Sequence, residues 1–139
     1  MKVIIDTNII IDVYQNRAGL APISAKILKL SERKKITGVI TASTITDIYF
    51  ILGRRISDNQ KLKILVQKLL TTVTLIDVLA SDVIEAFNLS IEDFEDALLA
   101  QCAKRIKADC IVTRNLRDFI DSPVVAMKPD DFLKTFFIE

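Results

Sequence analysis

Apolar residues in this chain come in two rhythms. Short unbroken runs such as Val3-Ile4-Ile5 and Cys110-Ile111-Val112 alternate with longer stretches in which apolar side chains recur every three or four positions. An exposed strand would alternate apolar with polar residues, so the unbroken runs predict strands buried on both faces. The recurring pattern predicts helices. In order, the expected strands are 3–5, 36–40, 73–78, 110–113 and 124–126. Between them lie expected helices at 8–14, at 22–34 with Ile23, Ile27, Leu28 and Leu30 inward, and from the hydroxyl-rich Thr41-Ala42-Ser43-Thr44 through Leu52, stopped by Gly53. The clearest helix is 59–70, where Leu62, Leu65, Val66, Leu69 and Leu70 share one face. Asp82 with Glu85 reads as a capping box opening a helix to about Leu89, 90–107 forms the next, and Pro129 starts a terminal one.

Strands alternating with helices predict an α/β fold of three layers, α/β/α, with a short, mostly parallel central sheet of Rossmann-like topology, in one domain over residues 1–139. In such sheets the residues just past the C-terminal ends of the strands gather along one edge, where ligands bind. Asp6, the segment from Thr41 to Asp47, and the segment from Thr113 to Asp118 all belong to that edge.

Composition narrows the chemistry. With no histidine there is no Ser-His or Cys-His pair, no imidazole base and no histidine-bound zinc. Cys102 and Cys110 are too few for a metal knuckle and are expected as buried, reduced thiols. Asp6 interrupts the apolar start after three residues, and no run is long enough for a membrane span, so the expected location is cytoplasmic. A net charge of +1 argues against holding nucleic acid by bulk charge, while leaving room for local basic patches.

Each acid on the expected edge has a plain structural reading. Asp6 caps the helix after it, Asp47 closes a capping box with Thr44, the acids Glu92, Asp93, Glu95 and Asp96 suit a helix dipole, and Asp118 and Asn115 sit in a turn. Asp96 stands apart, because Leu99, Ala100 and Ala103 follow on its own helical face and turn it toward the sheet. Four distant segments thus bring short oxygen-bearing side chains to one edge. Clustered carboxylates repel, and raised pKa values or a bound cation must resolve this; oxygen-only ligands select Mg²⁺ or Mn²⁺.

Asp6-Thr7-Asn8, Asp93-Phe94-Glu95-Asp96-Ala97, and Thr113-Arg114-Asn115 followed by Asp118-Phe119 together resemble the PIN domain, the nuclease fold of VapC-type toxins, over nearly the whole chain. The resemblance implies a metal-dependent endoribonuclease, often a homodimer, commonly the toxin of a toxin–antitoxin pair. It assigns catalysis to Asp6, Asp47, Asp96 and Asp118, metal binding to Asp6, Asp96 and Asp118, and support to Asn8, Asp93, Thr113 and Asn115. Asp47 stands where the family usually has Glu, and Asn115 where many members have Asp. Those departures keep open a degenerate module that binds RNA or a partner protein without cutting.

The expected chemistry is metal-assisted phosphodiester hydrolysis. Arg114 and Arg117 are the nearest candidates for substrate phosphates, followed by Arg17, Arg54 and Arg55, and Tyr14, Tyr49 and Phe50 are candidates for stacking on a base. Phe136-Phe137 suggests tail docking or a dimer contact. A haloacid-dehalogenase-type phosphatase also begins with a strand ending in Asp, but it needs a second Asp where this chain has Asn8.

Overall fold

The computed structural model describes residues 1–137. Its centre is a five-stranded, wholly parallel sheet of β1 (Lys2–Ile5), β2 (Thr37–Thr41), β3 (Thr74–Ile76), β4 (Cys110–Val112) and β5 (Ala126–Met127), in the order β3-β2-β1-β4-β5. The chain builds outward from β1 to β3, then crosses back to lay β4 on the other side of β1. The strand order therefore reverses between β1 and β4, the kind of place where parallel sheets open a crevice at their C-terminal ends.

Pleating divides the buried strand residues between the two faces of the sheet. Val3, Ile5, Ile40, Cys110 and Val112 join a core with α1 (Thr7–Tyr14), α2 (Ala21–Glu32), α3 (Ala42–Gly53), α4 (Asn59–Leu69) and α7 (Pro129–Phe136). Ile4, Val39 and Ile111 point the other way, against α5 (Ala80–Ala86) and α6 (Phe94–Arg105). This is the expected three-layer architecture. Cys102 and Cys110 are buried and free, and burial is the main cause that pushes both thiols up to about 12.

The differences from the sequence reading have local causes. Leu79, not Asp82, occupies the N-cap of α5, and the Asp82 carboxylate accepts the Leu79 N–H at 2.9 Å. Asp82 is wholly buried, and Arg105 Nε donates to both its oxygens at 2.9 Å. Desolvation pushes the Asp82 carboxyl upward, but the Leu79 and Arg105 hydrogen bonds outweigh it and leave it below the ordinary value. The helix expected over 90–107 begins at Phe94, because Asp93 caps it by accepting the Asp96 N–H at 3.1 Å. The fifth strand pairs at Ala126 and Met127, while Val124 packs into the core. Leu70 forms the C-cap of α4 and is exposed. Phe137 rests on the core beside Phe132, so the aromatic tail is docked, although Phe136 stays exposed.

Close packing of α2 on β2 depends on one glycine. A Cβ at Gly38 would lie 2.5 Å from Ser31 Oγ and 2.8 Å from Ser31 Cβ. Ser31 has little freedom to move, because its hydroxyl donates to the Thr72 carbonyl at 2.7 Å. We expect Gly38→Ala to destabilise the fold by about 1–3 kcal/mol in urea unfolding, with the denaturant slope unchanged.

Candidate active site

Asp6 follows directly on β1 and is 8% exposed. Its backbone N–H extends the ladder to the Val112 carbonyl at 3.0 Å, so its side chain emerges beside Thr113, the residue after β4. Thr113 Oγ1 donates to Asp6 Oδ2 at 2.7 Å, Asn8 Nδ2 donates to the same oxygen at 3.1 Å, and the Thr7 N–H donates to Oδ1 at 2.8 Å. Asp6 thus caps α1 and also faces the crevice. Burial pushes its carboxyl above the ordinary value, against the pull of those donors and of the Arg114 charge.

Around Asp6 opens a cleft of about 650 Å³. Asp47, Asp96 and Asp118 line it together with Asp6, as do Asn8, Asp93 and Asn115. Asp47 is there because Thr41, not Thr44, caps α3 through its Oγ1, accepting the Thr44 N–H at 3.3 Å; the Thr44–Asp47 capping box does not form. Asp96 arrives on the first turn of α6, one turn before the buried Leu99 and Ala100. Asp118 belongs to a 3₁₀ turn, Leu116–Phe119, and is exposed. Thr113 is buried, with its hydroxyl also accepting the Asn115 N–H at 3.0 Å.

The acids feel one another. Burial, then the charges of Asp6, Asp93, Asp118 and Glu95, push the Asp96 carboxyl up to about 7. Burial first, then Glu95, Asp6 and Asp93, also raises Asp47. Donors of this kind suit a hard divalent cation in chemistry. They do not form a finished cage: among the described residues, no three acidic or cysteine side chains are grouped to hold a metal ion.

A profile of the PIN domain family matches residues 2–117. The chain belongs to the PIN domain family. Among solved structures it is similar to VapBC2 from Rickettsia felis bound to a promoter DNA fragment, with TM-score 0.73 and 18% identity over 92% of this chain and 98% of that one. It is also similar to DNA-bound VapBC from Salmonella typhimurium (0.71, 16%, 93% and 98%). A toxin–antitoxin complex from Klebsiella pneumoniae gives 0.65 and 19% over 91% and 97%. At such identities the likeness is one of fold. No curated protein sequence matches the chain significantly.

In this PIN domain two of the candidate cations stand off the cleft wall, and a buried acid that the sequence reading did not single out joins one of them. Arg114 does not line the cleft; its Nε lies 2.7 Å from Oδ2 of Asp12, a carboxylate on α1 that is wholly buried. Asp12 also meets Arg17 Nη1 at 3.4 Å and accepts from Ser24 Oγ at 3.0 Å. An acid inside the run Ile9-Ile10-Ile11-Asp12-Val13 was the available signal. Arg117 is exposed outside the cleft wall, whereas Arg17 lines it. Of the aromatic candidates, Tyr14 and Tyr49 pack against the core, but Phe50 stands 66% exposed at the cleft with Arg54 4.5 Å above its ring.

An acid raised in the folded state binds its proton more tightly there, so its contribution to stability is present at low pH and is lost as pH climbs from 3.8 toward about 7. In metal-free buffer, Asp96→Asn should therefore melt a few degrees above the parent at pH 8, the gain vanishing near pH 4. A gain equal at both pH values would show that Asp96 ionises normally.

Proposed function

We propose that this PIN domain is a metal-dependent endoribonuclease that hydrolyses RNA phosphodiester bonds, acting in the cytoplasm as the toxin of a toxin–antitoxin pair. The observation that carries the reading is the cleft at the strand-order reversal, where acids from four separate segments share one electrostatic field. The fold likeness to VapBC proteins and to a toxin–antitoxin complex supports an antitoxin as partner; coverage of the cleft by that antitoxin, and a second copy of the chain as a further partner, belong to the same proposal.

Mg²⁺ or Mn²⁺, when bound, lowers the pKa of a water and offsets charge building on phosphate oxygens. Asp6 and Asp96 would hold it, with Asp118 beside Asp96; few carboxylates suffice for Mg²⁺, which keeps water and substrate phosphate among its ligands. Thr113 and Asn8 fix the orientation of the Asp6 carboxylate. Asp93 caps the turn that presents Asp96, and the Asn115 N–H steadies Thr113. Asp47 adds negative charge on the α3 side of the cleft, where it orients the attacking water.

The unfinished cage, the short Asp47 and the neutral Asn115 favour a second reading, a degenerate module that binds RNA or a partner protein without cleavage. A cleavage time course on structured RNAs with EDTA, Mg²⁺ or Mn²⁺ separates the two. We expect metal-dependent cleavage that falls by more than about 100-fold in Asp6→Asn, and by about 10–100-fold in Thr113→Val, which removes a donor holding Asp6. Folded, partner-free protein that cuts nothing with either metal selects the binding module.

A further inference from the structure

The Asp12 cluster holds more positive charge than it needs. Two guanidiniums, Arg17 and Arg114, meet one buried carboxylate, leaving one positive charge in excess beside the acidic cleft. Arg114 is the deeper of the two, and its field lowers the Asp6 carboxyl. Arg17 is 40% exposed, and among the described residues it is the one Lys or Arg on the cleft wall.

Arg17 is also held in place. Its Nε and Nη2 donate to Gln15 Oε1 at 3.3 and 3.1 Å, and its Nη1 donates to Asp12 Oδ1 at 3.4 Å. A guanidinium has five N–H groups, so these three bonds leave two, one on each Nη. A long side chain on the surface ordinarily gives up rotamer freedom when it grips a ligand. Here the bonds to Gln15 and Asp12 have already restricted it.

We infer that Arg17 is the substrate-phosphate contact of this cleft, and that Asp12 and Gln15 are positioning residues that hold its guanidinium toward the RNA backbone. The inference rests on the nuclease reading and singles out, among the arginines the sequence offers, the one that lines the cleft. The chemistry favours this cation over Arg114, which is absent from the cleft wall and whose Nε lies 2.7 Å from a buried carboxylate, and over Arg117, which lies outside the cleft wall. A phosphate here would meet two free N–H donors and an uncompensated charge, next to acids that could otherwise only repel it.

Salt dependence of binding distinguishes this role from a structural one. A fluorescein-labelled single-stranded RNA is titrated in the Asp96→Asn background, without divalent cations, over a range of KCl concentrations. Loss of one phosphate contact should make the slope of log affinity against log salt shallower by about 0.7. Arg17→Ala is expected to show that change with a roughly tenfold loss of affinity, whereas Lys63→Ala, an exposed charge on α4, keeps the parent slope.

Gln15→Ala retains the Arg17 charge and loses part of its hold, so the slope stays and affinity falls about threefold. Asp12→Asn should behave likewise if it folds; Gln15→Ala carries the test if it does not. An unchanged slope in Arg17→Ala, with RNA still bound by the parent, overturns the inference and leaves the nuclease reading standing. A parent that binds no RNA overturns the inference, and the nuclease reading falls with it only if the unsubstituted chain also cuts no RNA with Mg²⁺ or Mn²⁺. Unchanged affinity in Gln15→Ala and in folded Asp12→Asn removes the positioning role.

Discussion

A carboxylate buried at the end of a strand must be met by donors, and the arrangement of this fold around Asp6 follows from that need. Two of its donors are local, the Thr7 N–H and the Asn8 amide. The shortest bond comes from Thr113, more than a hundred residues away. It can form only if β4 lies directly beside β1, which requires the chain to cross the sheet after β3. The same crossing brings α6 over the opposite face and sets its first turn, with Asp96, at the mouth of the crevice.

The enclosed carboxylates of this chain fall into two kinds. Asp12 and Asp82 are each completely buried and each face arginine together with further donors, so their charge is answered within the fold. Asp47 and Asp96 are partly enclosed; burial raises both carboxyls first, and the charges that bear on them after it are those of other acids. Asp6 stands between, held by neutral donors and touched by the Arg114 field. Acids of the first kind hold elements together. Those of the second keep an unmet demand for positive charge, which is the physical content of a cation-binding cleft.

Much of this was legible along the chain. Unbroken β-branched runs gave parallel strands, three-to-four periodicity gave helices, and the alternation gave the layers and the edge where ligands bind. Asp96 was separable from Glu92, Asp93 and Glu95 because its helical face also carries Leu99, Ala100 and Ala103. Some local readings failed because a distant group intervened. Asp82 resembled the first half of a capping box, yet it is turned inward to meet Arg105 on α6. Arg114 was a candidate for substrate phosphates because it follows β4 at the edge, yet it lies against Asp12, about a hundred residues earlier in the chain. Phe50 continues an apolar helix and still stands exposed, since α3 presents that side to the cleft.

The amino-acid order by itself determined what depends on neighbours a few positions away: helix and strand periods, the Asp6 cap, the absence of histidine chemistry, and the set of acids available to one edge. Tertiary structure alone decided which of two chemically equal carboxylates meets a guanidinium and which is left among other acids. That choice rests on contacts between α1, α2 and the segment after β4, and between α5 and α6, which packing brings together and local periodicity does not encode.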